Sequence, residues 1–394
     1  MKNSFWKRYY WVPVILLALT IFQFVRPLTE VSPQSQLPQP SPVQAVDIPW
    51  PAGGQSALGA KDYGLLALNG ASSPVPIGST AKVITALAIL QKKPITANGQ
   101  GAILTLTKGD VDLYNHYYSL NGSGTLVSAG EQITELQALQ SMLIPSSNNM
   151  ADTLAVWAFG DIDSYLAYAN TMVKKDLKMN QTSIGDTNGF SDTTTSTADD
   201  LVRLGLAAMD NPVISKIVSQ PTAEVPVAGI LKNTNILLGS NGVIGIKTGH
   251  TDMAGGCYLF AADRSITGHT VTIVGAILGQ PSLAVAISSA PSLLMASDAG
   301  FELTTIAHKD QTLGFYETAW GAKAQFQASK DLTLLIWRGA ETKITSQLDS
   351  SGAAKAGTTI GRITVSNLQQ STNTSLVLAN NLQAPSPIWR LTRH

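Results

Sequence analysis

The chain has 394 residues, 26 Lys+Arg against 26 Asp+Glu, and 44% hydrophobic residues against only 13% charged. Zero net charge gives a nucleic-acid binder no basic field, and so much apolar content is foreign to a disordered tail. A single cysteine, Cys257, excludes an intramolecular disulfide and a four-cysteine zinc site. The five histidines show no HxxxH-type spacing, so a metal enzyme is disfavoured and no cofactor is expected.

Lys2, Lys7 and Arg8 precede an apolar run of 17 residues from Tyr9 to Val25, just long enough to cross a thin hydrocarbon core as a helix. Trp6, Tyr9, Tyr10 and Trp11 resemble an interfacial aromatic belt, and the cationic side is expected to be cytoplasmic. An uncleaved anchor over residues 1–28 is expected. The alternative is a cleaved signal, although Arg26-Pro27-Leu28 offers no small-x-small site and only Val43-Gln44-Ala45 could serve further on. Residues 29–51, rich in Pro, Gln and Ser and including Pro38-Gln39-Pro40-Ser41-Pro42, read as an extended spacer.

From Ala57 the pattern is globular. Tyr63 to Leu68 reads as a strand entering a hairpin turn at Asn69-Gly70. Ser79–Lys92 reads as a helix with an apolar stripe of Val83, Ile84, Leu87, Ile89 and Leu90. Glu135–Trp157 is helical and broken at Pro145; Asp199–Met209 is a helix opened by Ser196 or Thr197. Strands are expected at Val243–Ile246, Cys257–Ala262 and Thr270–Ala276, giving an α/β body with an antiparallel sheet over residues 52–282. A long apolar helix, Leu283–Ile306, follows as a connector over 283–308. Strand-like runs at Leu332–Ile336, Ile360–Val365 and Ser375–Leu378 then suggest a small β-sandwich over 309–394.

Three short motifs carry the chemistry. In Ser79-Thr80-Ala81-Lys82 the spacing of three puts both side chains on one helical face, so an amine can reach a hydroxyl. Serine is a poor nucleophile without a base beside it, and Lys is that base only if burial or a second cation lowers its pKa. A helix start also offers N–H groups to a developing oxyanion. Alone the motif is weak: Ser-x-x-Lys arises about once per chain of this size, usually as a capped helix with a solvated Lys. In Pro145-Ser146-Ser147-Asn148-Asn149, Ser146 can relay a proton and Asn148 can serve a substrate amide, or the cluster is an ordinary cap after a proline. In Lys247-Thr248-Gly249-His250, Lys247 and Thr248 can bind a carboxylate while Gly249 lets a substrate backbone approach; the bland alternative is a solvated edge-strand lysine before a turn.

The order of the motifs raises their value. Ser79 and Ser146 stand 67 residues apart and Ser146 and Lys247 101, so all three fit one domain. With Pro76-Ile77-Gly78 before Ser79, Leu143-Ile144 before Pro145, Asn188-Gly189-Phe190, Ser196-Thr197-Ala198-Asp199-Asp200-Leu201, Asn233-Thr234-Asn235 and Thr251-Asp252 after His250, the chain resembles the D-alanyl-D-alanine carboxypeptidases. These are the low-molecular-weight penicillin-binding proteins of serine peptidase family S11. The likeness spans about residues 50 to 280. It implies a penicillin-binding/β-lactamase-like α/β (α+β) fold with an antiparallel sheet flanked by helices. It also implies Ser79 as acylated nucleophile, Lys82 as general base and Ser146 as proton shuttle. Asn148 would orient the peptide, and Lys247 and Thr248 would hold the terminal carboxylate, with Gly249 beside them. The N–H groups of Ser79 and His250 would form the oxyanion hole. The implied partners are the D-Ala-D-Ala end of the peptidoglycan stem peptide, β-lactams as covalent inhibitors, and the cytoplasmic membrane through residues 9–25, with the catalytic part extracytoplasmic.

Two positions depart from the family pattern: Gly78 stands where Ala is usual, and Asn149 where Asp is frequent. A more weakly marked likeness, clearest at Ala354–Gly361, extends to the family's β-rich accessory domain, but Pro385–His394 lacks an amphipathic C-terminal helix. Class A β-lactamases use a glutamate-activated water, yet Glu224 is the single glutamate between Ser146 and Lys247, so slow rather than rapid penicillin turnover is expected. A non-catalytic envelope protein on this fold would have lost Ser79, Lys82 or Lys247. Transpeptidase or endopeptidase chemistry through the same acyl-enzyme stays open.

Overall fold

The computed structural model describes residues 11–29, 31–39, 43–71 and 73–393. The basic flank at Lys2, Lys7 and Arg8, the aromatic residues Trp6, Tyr9 and Tyr10, and Pro40-Ser41-Pro42 lie outside the described residues. The chain divides into two compact units, Ala45–Phe301 and a second made of the segment up to Gln44 together with Glu302–His394.

The Ala45–Phe301 unit is built on a five-stranded antiparallel sheet. Its strands are β1 (Gln55–Ala60), β2 (Gly64–Asn69), β3 (Val243–Thr251), β4 (Gly255–Ile266) and β5 (His269–Gln280), in the order β3-β4-β5-β1-β2. β1 and the middle of β4 and β5 are buried without alternation because both faces are covered. Around the sheet lie α1 (Ala81–Lys92), α2 (Lys108–Ser119), α3 (Glu135–Leu143), α4 (Asn148–Phe159), α5 (Ile162–Lys175), α6 (Ala198–Asp210) and α7 (Leu283–Gly300). α1 is buried from Ala81 to Leu90, as befits a helix apolar nearly all round. Side-chain caps fix the helix starts: Thr134 with Gln137 on α3, Asp161 on α5, Thr197 on α6 and Ser282 on α7.

Three elements differ from the sequence expectation. The hairpin turn precedes β2 at Lys61–Tyr63, where Asp62 adopts φ +65°, and Asn69-Gly70 instead leads out of β2. Ser79 sits on a 3-10 turn, Gly78–Thr80, and the α-helix begins only at Ala81. The long apolar helix ends at Gly300, because Phe301–Ala307 becomes a strand paired with Leu332–Trp337. α7 is long and apolar enough to cross a membrane by composition, but Ala286, Ala290, Leu293 and Leu294 are buried and it packs on β4 and β5.

In the other unit a six-stranded sheet runs in the order Gln34–Ser35, Thr312–Glu317, Lys323–Ala328, Gln370–Leu378, Thr359–Asn367 and Thr342–Leu348. With the Phe301–Ala307/Leu332–Trp337 pair it encloses Leu313, Tyr316, Phe326, Ile336, Ile363, Val365 and Leu376. Part of the Pro/Gln/Ser-rich segment is therefore structural: Gln34 and Ser35 cover the edge of the Thr312–Glu317 strand, and Val31, Leu37 and Val43 pack on the core. The Trp11–Val25 helix buries none of its residues. A short C-terminal helix, Pro387–Thr392, does form, capped by Ser386. Its arginines reach the open carbonyl end of the Trp11–Val25 helix. Arg390 donates to Phe24 O at 2.8 Å, and Arg393 to Gln23 O at 2.9 Å and Arg26 O at 2.6 Å.

Candidate active site

Three elements of the Ala45–Phe301 unit converge: the 3-10 turn leading into α1, the start of α4, and β3 at the sheet edge. The turn and β3 touch through glycines. A Cβ built on Gly249 would stand 2.9 Å from Ser79 N and 3.2 Å from Thr80 N, and one on Gly78 would stand 3.2 Å from His250 N. Gly249 is thus required by the close approach of the Ser79 turn to its own strand, whereas the sequence reading assigned that room to substrate. Gly78 also adopts φ +52°, a left-handed conformation that an alanine would occupy under strain. The backbone at Ser79 therefore lies against Gly249, and that at Gly78 against the His250 amide. The His250 ring faces away, its Nδ1 3.1 Å from Gly255 O.

Lys82 is fully buried, and its amine is held at three points: Ser79 Oγ at 2.7 Å, Asn148 Oδ1 at 2.7 Å and Asn188 O at 3.0 Å. Two of these partners are pure acceptors. A neutral amine has two N–H groups and one lone pair, so when its protons point to Asn148 and Asn188 the lone pair is left for the Ser79 hydroxyl proton. Burial pushes the Lys82 ammonium well below its ordinary pKa, and the charge of Lys247 pushes the same way against Asp186 and Asp152. Both conditions under which a lysine becomes a base are present.

Lys247 is also buried, and burial lowers its pKa to about 7. Its amine donates to Thr248 O at 3.1 Å. The Thr248 hydroxyl pairs with that of Thr234 at 2.8 Å. β3 is an edge strand of the five-stranded sheet, the position at which an extended peptide can add as a further strand.

Ser146 is 5% exposed with φ +69°, in the turn that Pro145 opens between α3 and α4. Among the described residues its hydroxyl makes no hydrogen bond, so it is near the centre in sequence and turn but not bonded to Ser79 or Lys82. Asn149 explains itself. Its Oδ1 accepts from Thr125 N at 3.0 Å and Ser147 Oγ at 2.6 Å, while its Nδ2 donates to Thr125 O at 3.0 Å. An aspartate could not make that last bond, so the departure from the family pattern serves to pin the 123–125 loop beside α4.

The sequence reading missed a polar layer behind Lys82 consisting of Tyr117, Asp152, Asp186, Thr187 and the side chain of Asn188. Asp152 falls four residues after Asn148 within an apolar helix, a carboxylate where the pattern calls for none, and that was the available signal. Glu224 is exposed on the Thr222–Val225 strand. Among the described residues no group of three or more His, Cys, Asp or Glu side chains could hold a metal ion.

A serine thus stands at hydrogen-bond distance from a buried amine, close to a second buried lysine on an edge strand. The model of the Peptidase_S11 family, D-alanyl-D-alanine carboxypeptidase, matches residues 64–279. The chain is 26% identical over 235 residues to the D-alanyl-D-alanine carboxypeptidase of Streptomyces sp. strain K15, covering 55% of this chain and 77% of that one. The crystal structure of the Streptomyces K15 DD-transpeptidase superposes with a TM-score of 0.57 at 26% identity, covering 64% of this chain and 98% of that one. The D-alanyl-D-alanine carboxypeptidase DacD from Francisella tularensis shares the fold over 88% of this chain and 97% of its own, with a TM-score of 0.60 at 16% identity. The chain belongs to the D-alanyl-D-alanine carboxypeptidase family S11, and it is a serine-type peptidase with a penicillin-binding-protein fold.

Proposed function

We propose that this enzyme removes the terminal D-Ala from peptidoglycan stem peptides through an acyl-Ser79 intermediate. The observation that carries the reading is the Lys82 amine, buried, low in pKa and 2.7 Å from Ser79 Oγ. Neutral Lys82 takes the hydroxyl proton as Ser79 Oγ bonds to the carbonyl carbon of the penultimate D-Ala. The amides of Ser79 and His250 hold the oxyanion, and Lys247 and Thr248 hold the departing residue's carboxylate. As the C–N bond breaks, the proton passes by way of Ser146 to the leaving amine. Water then attacks the ester, releasing the shortened peptide and restoring the Ser79 hydroxyl. Asn148, with Oδ1 engaged by Lys82, keeps Nδ2 for the peptide backbone. Penicillins, which carry a carboxylate beside a reactive carbonyl, acylate the same serine.

The Streptomyces K15 matches carry two names, carboxypeptidase and transpeptidase, and these activities differ in the acyl acceptor, water in the first and an amine in the second. Both fates start from one acyl-enzyme. Mass spectrometry of a pentapeptide ending in D-Ala-D-Ala separates them: free D-Ala with tetrapeptide is the expected product, and predominance of cross-linked dimers would replace hydrolysis with transpeptidation. No release of D-Ala at all would sink both.

We further propose that the Trp11–Val25 helix is retained as a membrane anchor, with catalysis in the unit that holds Ser79 and the β-rich unit as an accessory. The helix exposes Val14, Leu16, Leu17 and Phe22 by more than half, and spans roughly 22 Å. Arg390 and Arg393, which donate to carbonyls at its C-terminal end, support a helix kept with the rest of the chain. Recovery of the full-length chain in washed membranes supports this; a soluble protein lacking residues before Ala45 would point to cleavage.

A further inference from the structure

Behind Lys82 the two acceptors that orient its amine come from separate segments, Asn148 on α4 and the Asn188 carbonyl on the 186–191 loop. One carboxylate joins those segments. Asp152, one turn beyond Asn148 on α4, accepts from Tyr117 Oη at 2.7 Å, from the Thr187 hydroxyl, and from Asn188 Nδ2 at 3.3 Å. Asn188 Nδ2 also donates to Tyr117 Oη at 2.8 Å. The Thr187 and Asn188 side chains thus bind Asp152 while their backbone carbonyls bind α1: Thr187 O accepts from Thr85 Oγ1 at 2.5 Å and Asn188 O from Lys82 Nζ at 3.0 Å. Thr85 lies three residues past Lys82, on the same helical face. Thr187-Asn188 is therefore a two-residue platform clamped to Asp152 on one side and carrying the lysine on the other.

We propose that Asp152 is the positioning residue for Lys82, fixing the Thr187-Asn188 platform so that the amine's lone pair faces Ser79. It touches neither substrate nor Ser79. The role rests on the acyl-serine reading above and adds a residue that the three motifs do not contain. It carries a charge consequence as well. The groups acting electrostatically on Lys82 are Asp152 from α4, Asp186 from the 186–191 loop and Lys247 from β3. Tyr117 on α2 and Tyr165 on α5 are held neutral by burial. The two carboxylates favour the ammonium and Lys247 opposes it, so removing the charge of Asp152 leaves Lys82 neutral to lower pH.

The test measures acylation rates by a fluorescent penicillin against pH, with melting temperatures, on the full chain and on Asp152→Asn. The expected result is acylation slowed on the order of tenfold, with its acid limb moved to lower pH and a melting temperature close to the parent's. A rate within about twofold of the parent with the limb unmoved overturns the proposal. So does a loss uniform across pH that follows the lost folded fraction, which is the mark of a purely structural residue. If Asp152→Asn does not fold, Tyr117→Phe, which keeps the carboxylate but removes one of its donors, takes its place. Slower acylation by a folded variant then supports the clamp, and parental acylation overturns it. A parent that is not labelled at all sinks the peptidase reading itself, whereas a labelled parent with indifferent variants sinks only the role of Asp152.

Discussion

The two units of this protein both contain an antiparallel sheet, yet they treat buried polarity in opposite ways. In the β-rich unit the core of Leu313, Tyr316, Phe326, Ile363, Val365 and Leu376 is apolar. Its buried polar side chains are neutral: Asn367 binds the backbone of Trp337 and Ala340, and Thr318 that of Ala322. The Ala45–Phe301 unit instead buries two lysines, Lys82 and Lys247, and among the described residues no carboxylate is in ion-pair contact with either. Taking an ammonium out of water destabilises a fold unless it is paired or neutral, and here the pKa values move toward neutrality. The Ala45–Phe301 unit thus buries two amines of a kind that stability alone would remove, and both belong to the proposed catalytic site.

The sharpest way to break the comparison is to restore an obligatory charge at Lys82. Lys82→Arg keeps the cation but cannot give up its proton, so acylation should fall by about 10³-fold or more while the protein stays folded. Labelling at the parental rate would remove the general-base role. Next in size, Lys247→Met keeps the volume and removes the charge. Turnover of a D-Ala-D-Ala peptide should drop by roughly 10- to 100-fold in kcat/KM, the worth of a charge-assisted hydrogen bond. Its pH dependence has a defined sign: Lys247 lowers the pKa of Lys82, so without it Lys82 protonates at higher pH and the acid limb moves up, opposite to Asp152→Asn. In the parent the alkaline side should weaken as Lys247 loses its proton, from about 7 upward in the free enzyme. The smallest effect on chemistry belongs to the other unit. Phe326→Leu should cost about 1–2 kcal/mol, read as a lower melting temperature, with acylation within about twofold of the parent. A large change in acylation rate would mean that the units are not chemically separate.

What could be read along the chain follows from the range of the interactions. Ser79 and Lys82 are three residues apart on one face, so their contact is local and legible. The Pro145 break likewise marks the start of α4 and hence Asn148. Asn188 O, Thr234 and Asp152 act through pairings of 106, 14 and 35 or more residues' separation, and no periodicity reports these. The demand on Gly249 is hidden for the same reason, since what stands against it is the turn at Ser79 and Thr80, 169 or more residues earlier. In the fold, the strand at Phe301–Ala307 was taken for helix because its apolar residues continue those of α7, and only its pairing with Leu332–Trp337 decides the matter. The hairpin before β2 was misplaced because Asn69-Gly70 carries the stronger turn chemistry, while Asp62 does the work at φ +65°.

The central claim is that Ser79 is acylated with Lys82 as its base. Peptide mass spectrometry of the penicillin-treated full chain addresses it directly. One penicilloyl group is expected, on the peptide that contains Ser79, and none on Ser79→Ala; an adduct on another residue, or one that survives Ser79→Ala, would rule out Ser79 as the nucleophile.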